Sequence, residues 1–443
     1  MAPVASKEEV EDQEKERHRK LAQKICFSSF LSVCQHFVVV QTEPQLYVHL
    51  CEQNRADAAR MLGNTSGMVG VLSLLFNQFG GKLSDSIGRR KGFLVGPLAN
   101  VFLGLLVFKN PRNRPLVTLC RVLRLILTTF SNTVMCQAAL SDFCSGSDLA
   151  VASSRIQAAT GLALLAVPRI EARALKSAPG LDGVRSVYAV LSVMGAIHAG
   201  FVWSQIEETL SAAKRKALEL TPKTILEMIN PLGFVRIFTE GSTALKKLVV
   251  MTTLQMTLEG KNLSDMITNY TRDHLKWTVD QFSYWAMYYG SVCSLSGMFL
   301  IPRMLKALPP RRFTTLTNLL NTFAFTFRGV VPSTLLWLAF VPFMLPGVNG
   351  SSAIPLRVVA TDMATQQKFG KGEFSAWVNN LRALAGSISP VIYAQVYAAL
   401  EEGGRLNPGL FLAVAGLIGA AAPQAMLSTM PDSELSAAGA SGS

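Results

Sequence analysis

Gly81-Lys82-Leu83-Ser84-Asp85-Ser86-Ile87-Gly88-Arg89-Arg90-Lys91 is the stretch that decides how this chain is read. It follows one apolar run, Met61 to Phe79, and precedes another, Gly92 to Phe108. Gly81 lets two helices approach closely, and Gly88 supports a tight reversal between them. Asp85 falls at a helix end, where its charge can pair with an arginine or face a helix N-terminus. Arg89, Arg90 and Lys91 suit a loop anchored at an anionic membrane face. A charged turn between two membrane spans is the first expectation.

Composition supports it. Of 443 residues, 49% are hydrophobic and 16% are charged, against about a quarter charged in soluble domains. So apolar a chain must bury itself somewhere, which excludes disorder. Lys and Arg number 42 against 29 Asp and Glu, a formal charge of +13. The cations sit in short clusters between apolar runs rather than in one basic domain interleaved with aromatics. That pattern argues against nucleic acid and for a lipid bilayer as the partner. The seven cysteines show no CxxC or Cys/His ligand spacing, so neither zinc nor a disulfide framework is expected. The first 24 residues are polar and charged, without the pattern of a cleavable signal.

Twelve apolar runs can be counted, at about 20 residues for a full span. The first six are Ile25–Val40, Met61–Phe79, Gly92–Phe108, Leu116–Leu140, Leu149–Pro168 and Val184–Trp203. After a charged stretch come Leu245–Asn262, Ser283–Ile301, Phe313–Phe327, Val331–Pro346, Phe374–Tyr397 and Pro408–Ala422. The fold class expected is an all-α polytopic membrane protein of twelve transmembrane helices in two six-helix bundles. Its parts are a tail 1–24, a bundle 25–203, a linker 204–244, a second bundle 245–426 and a tail 427–443. Leu218, Ile225, Leu226 and Ile229 recur near a helical period in the linker. The basic bias puts both termini in the cytoplasm, although the clusters at Lys109–Arg114 and Arg169–Arg185 run against it. Which membrane holds the protein is not legible.

The loop from Gly81 to Lys91 resembles the signature G-x-L-x-D-x-x-G-R-R/K-x between helices two and three of the major facilitator superfamily. Each defining position is matched, and the six-plus-six layout agrees along the whole chain. Gln205-Ile206-Glu207-Glu208-Thr209-Leu210 looks like the P-E-T/S-L segment of drug:proton antiporters of the tetracycline-resistance type. The helix-five motif G-P-x-x-G-G and the sugar-porter strings are missing. Pro302 to Arg312 is a poor copy of the signature, so the C-terminal half has diverged. The resemblance implies a secondary active, alternating-access transporter of a small organic solute, proton-coupled and monomeric, with its cavity between the bundles. It also implies a conformational latch of Gly81, Asp85, Gly88, Arg89, Arg90 and Asp142, the last a candidate partner for Arg89. A non-transporting receptor or scaffold with the same fold is the alternative, and a channel comes third, since no selectivity-filter string appears.

An ionisable group at a helix centre costs roughly 2.5–3.5 kcal/mol on insertion scales, so such groups tend to face a cavity. Arg121 and Arg124 share a face with Thr128 and Asn132, and either address an anionic solute group or snorkel to the interface. Gln255, Glu259 and Asn262 share a face of helix seven, and Glu259-Gly260-Lys261 suggests a break in it. Asn379 and Arg382 lie on one stripe of helix eleven, and Gln35 and His36 lie past the midpoint of helix one. His198 is a further buried-histidine candidate. Glu259 is the only acid inside the run drawn for helix seven, which makes it the candidate proton carrier. Pairing with Lys261 at a helix end is its plainer reading. No Ser/His/Asp set, phosphate loop or metal cluster is present, so neither an enzyme nor a cofactor is expected.

Overall fold

The computed structural model describes residues 7–131, 135–136, 139–140, 142–143, 146–210, 231–339, 341–343, 351–369, 371–432 and 435. The described residues are helical, with short turns. The expected linker helix around Leu218 to Ile229 and the stripe residue Asn132 lie outside them, as do the side chains of Gly81 and Asp85.

The helices in chain order are α1 (Lys7–Phe37), α2 (Thr42–Leu50), α3 (Arg55–Ile87), α4 (Arg89–Lys109), α5 (Arg114–Leu127), α6 (Gly146–Lys176) and α7 (Leu181–Gln205). Then follow α8 (Val235–Glu240), α9 (Thr243–Met256), α10 (Gly260–Asp273), α11 (Val279–Leu295), α12 (Ile301–Ala307) and α13 (Pro310–Val330). The last are α14 (Thr334–Ala339), α15 (Ile354–Gln366), α16 (Lys371–Gly403), α17 (Leu410–Gly416) and α18 (Ala422–Ser428). Five stretches among the described residues are long and apolar enough to cross a membrane: Glu16–Leu50, α4, α7, Trp377–Gly403 and Leu410–Ser428.

Several ends follow from local chemistry. Asn113 caps α5 by accepting from the Leu116 N–H, and Pro115 starts that helix without losing a needed donor. Thr278 and Gln281 form a reciprocal capping box at α11. The charged tail is helical from Lys7 and continuous with the first span, supported by i,i+4 pairs such as Glu16–Lys20 at 3.5 Å.

By contacts the chain divides into two units, one of Met1–Val39 with Phe76–Ile225, the other of Val40–Leu75 with Leu226–Ser443. The first is built on α4 against α7. A Cβ on Gly104 would lie 2.5 Å from the Ser192 Oγ, and one on Gly195 2.8 Å from the Pro97 carbonyl. Only glycine permits so close an approach. Ile25, Phe93, Cys136, Ala139, Leu140, Ile156 and Val202 pack as its core at one end.

The second unit is cored by residues such as Leu245, Leu248, Met251, Leu356, Trp377 and Leu427. Gly63, Gly67 and Gly70 seat the start of α3 directly on α16, against Ala394, Val391 and Ser387. Arg60 and Glu402 add a two-pronged ion pair there.

Candidate functional site

Among the described residues, buried polar clusters occur in both units. In the first, Gly88 precedes α4 with φ 97° and ψ 151°, a conformation that side chains rarely adopt. The reversal puts Arg89 inward, 8% exposed. Its Nε donates to Asp142 Oδ2 at 3.1 Å and its Nη1 donates to the Ser84 hydroxyl. Thr209 Oγ1 donates to the same Asp142 oxygen at 2.8 Å. Glu208 Oε1 accepts from the backbone N–H of Arg89 at 2.8 Å and of Leu210 at 3.2 Å. Arg90 donates to the Trp203 carbonyl and lies over its ring at 5.1 Å.

Of the six latch candidates, the structure therefore brings Gly88, Arg89, Arg90 and Asp142 together, with Ser84, Glu208 and Thr209 as additions. Glu208 and Thr209 carried a signal in the sequence, the segment after helix six, but spacing alone did not tie them to Arg89. Beside this cluster, Arg17 Nη2 donates to Glu207 at 2.6 Å, which holds the Glu207 carboxyl below its ordinary pKa.

Gln35 belongs to a different arrangement in the same unit. It accepts from Asn100 Nδ2 at 2.7 Å through Oε1 and donates to the Leu31 carbonyl through Nε2. Its Nε2 also meets His198 Nδ1 at 2.8 Å, so that nitrogen must accept. His198 then carries its proton on Nε2 and donates to Ser28 Oγ at 2.8 Å. His198 is fully buried, whereas His36 is exposed and in edge contact with Phe37. Arg121 and Arg124 are buried, 5% and 3% exposed.

In the second unit, the seventh apolar run, Leu245–Asn262, is broken between α9 and α10. Thr257 ends α9 and Glu259 precedes α10, each helix being 14 residues long. Asn262 Nδ2 donates to the Met256 and Thr257 carbonyls, satisfying groups that the break would strand. Glu259 accordingly lies at the junction of two helices and not at an outer end, a correction to the run drawn from hydropathy. The run stopped at Asn262 because α10, with Lys261, Asp265, Asn269, Arg272 and Asp273, is polar on one face.

Glu259 Oε1 pairs with Arg382 Nε at 2.6 Å and Oε2 with Lys261 Nζ at 3.4 Å. Arg357 interacts electrostatically with both Glu259 and Arg382. Arg357 sits on α15, beyond the apolar run Val331 to Pro346, so hydropathy gives no signal for it. Gln255 is fully buried away from the charges, donating to Asn318 Oδ1 at 2.8 Å, and Asn318 in turn donates to Gln424 at 3.3 Å. Asn379 is exposed, while its neighbour Asn380 is buried. Among the described residues, no group of three or more His, Cys, Asp or Glu is placed to hold a metal.

Comparison with known proteins is consistent with this architecture. The human organic anion transporter MFSD10 (TETRAN) superposes with a TM-score of 0.66 at 16% identity, covering 93% of this chain and 99% of that one. The nucleoside transporter NupG gives 0.67 at 11% identity, over 93% and 100%. A D-xylose–proton symporter gives 0.67 at 12%, over 95% and 98%. These likenesses show the all-helical fold. No curated protein matches the sequence. The profile described as Major Facilitator Superfamily matches residues 25–390, most of the chain. With that match, the chain belongs to the Major Facilitator Superfamily, a family of multi-pass membrane transporters and not of enzymes.

Proposed function

We propose that the protein is a secondary active carrier of a small organic solute that works by alternating access and is driven by protons, with Glu259 as the coupling group. The observation that supports this most is the carboxylate at the break in helix seven, held by Arg382 at 2.6 Å. A carrier needs one titratable group whose surroundings change as access alternates. Burial favours the neutral carboxyl and the arginine favours the carboxylate, so separating the two would release or take up a proton. The alternation itself we assign to the cluster of Arg89, Asp142, Glu208 and Thr209, with both termini on the cytoplasmic side.

The D-xylose–proton symporter is a proton-coupled relative in fold, and the segment after helix six resembles that of drug:proton antiporters. The test is solute uptake into proteoliposomes with and without an imposed pH gradient. Glu259→Gln is expected to abolish gradient-driven accumulation while preserving exchange. If the Gln variant still concentrates solute with wild-type pH dependence, Glu259 is not the proton carrier.

A further inference from the structure

Two cations pair with one carboxylate where α9 gives way to α10, and they differ from it in exposure. The Glu259 side chain is 8% exposed, but those of Arg382 and Lys261 are 45% and 52% exposed. The carboxylate is buried beneath the cations, which present their outer faces to open space. Arg382 meets Glu259 through its Nε at 2.6 Å, and its side chain is 45% exposed. A guanidinium offers five N–H donors in a planar fork, more than one carboxylate can use.

The surroundings also favour a negative guest. No side chain caps α10, so its N-terminal N–H groups and the positive end of its dipole lie at Glu259. The opposite pole is neutralised, since Asn262 donates to the last carbonyls of α9. Arg357 adds a third cation, coupled to both members of the pair. The next carboxylate along α10, Asp265, is engaged by the Ser66 hydroxyl at 3.2 Å. Gly386, one turn after Arg382, lets the Lys261 side chain lie against α16, its ammonium 3.7 Å from where a Cβ would stand.

We infer that Arg382, Lys261 and Arg357 form a binding site for a small organic acid, and that Glu259 is its built-in occupant. A carboxylate is the fitting ligand because a carboxylate already holds the place. An incoming one would pair with the half-exposed guanidinium of Arg382 and compete with Glu259 for it. Charge sets the limit on the guest. The cations outnumber the carboxylate paired with them, so the site suits an anion and rejects a cation. This deepens the carrier reading and rests on it for the step of transport, but not for binding.

The test uses the purified full-length protein in detergent at neutral pH, with succinate as the probe and its uncharged diamide as the control, by titration calorimetry. Succinate is expected to bind and the diamide not. Arg382→Gln should weaken succinate binding by about tenfold or more, as loss of a charge-assisted fork does. Arg357→Gln should weaken it by a smaller factor. Glu259→Gln should tighten it, because the competitor is removed while the cations stay.

Equal binding of the diamide, undiminished affinity in Arg382→Gln, or weakened binding in Glu259→Gln would each overturn the proposal. So would silence with succinate in both wild type and Glu259→Gln. Should Arg382→Gln fail to fold, Arg382→Lys keeps the charge without the fork and is expected to bind at intermediate affinity. Wild-type affinity in that variant also counts against the site. Proteoliposome uptake separates the two readings. Succinate bound but not moved leaves the site and removes the carrier, whereas uptake of a neutral solute unaffected by Arg382→Gln does the reverse.

Discussion

The carboxylate of Glu208 accepts a hydrogen bond from the backbone N–H of Arg89 at 2.8 Å, across 119 positions of sequence. Gly88, the residue that must turn the chain before α4, has no side chain with which to cap it. The segment after α7 supplies the missing acceptor. Gly88 thus makes the reversal possible and Glu208 makes it stable. Losing a cap costs about 0.5–2 kcal/mol. Glu208→Ala is expected to lower the Tm in detergent, and Glu208→Gln, which keeps an acceptor oxygen, to lower it less. Equal Tm values for both variants and wild type would show that the contact carries no stability.

Asp142 tests the latch separately from the cap. Asn in its place retains an oxygen for Thr209 but loses the charge that meets Arg89 at 3.1 Å. A charged hydrogen bond contributes about 1.5–3 kcal/mol, enough to shift a two-state equilibrium at least tenfold. Asp142→Asn should slow turnover in proteoliposomes while leaving expression and monodispersity near wild type. Unchanged turnover would detach this cluster from the transport cycle.

His198 and His36 should behave oppositely. His198 is held neutral between Ser28 and Gln35, and its removal strands both partners. His198→Leu is expected to destabilise by about 1–3 kcal/mol, as buried unsatisfied polar groups do. It should leave the pH profile of uptake unmoved. His36→Ala should alter stability little, because His36 is exposed. Thermal unfolding and uptake measured against pH check both.

Glycine positions differ in the same readable way. A Cβ on Gly70 would stand 2.5 Å from Ser387 Cα and 2.7 Å from its backbone nitrogen, which cannot swing aside. Gly70→Ala should cost about 1–3 kcal/mol as overpacking does. Gly386→Ala, with nothing nearer than 3.7 Å, should be close to neutral. Thermal melts of the two variants side by side would decide.

The Arg17–Glu207 pair predicts a pH effect with a definite sign. Hydrogen bonding from Arg17 lowers the Glu207 pKa below its ordinary 4.5. A depressed carboxyl contributes its contact fully above the ordinary value and loses it as the pH falls through the lowered one. The tether of the N-terminal helix should therefore hold at neutral pH and release only in acid. Both side chains are more than half exposed, so global stability should hardly register it. Hydrogen exchange in the first turns of α1 should rise in Arg17→Gln at neutral pH, and in wild type only on acidification.

Sequence alone determined the fold class, the family and the loop at Gly88, because these rest on local regularities. Long apolar runs, helix-end charges and a glycine before Arg89-Arg90 are legible wherever the chain passes through lipid or reverses. It also determined that helix seven would break near Glu259, since Glu-Gly-Lys within an apolar run is costly unless the helix opens there.

Only the tertiary structure decided which polar groups meet. Hydropathy ended helix seven at Asn262, since the polar face of α10 lowers the average although its other face is buried. That cut put Glu259 at an edge when it stands at a junction. It decided as well that His198, not His36, is enclosed, and that Gln255 belongs to a buried amide network. Periodicity tells which residues share a face, but not which neighbouring helix that face meets. The partners Arg357 and Arg382 come from other helices and Glu208 from the segment after α7, brought close by packing over more than a hundred residues of separation in two of the contacts. Such pairings are a property of the assembled helices, and no window of sequence contains both halves.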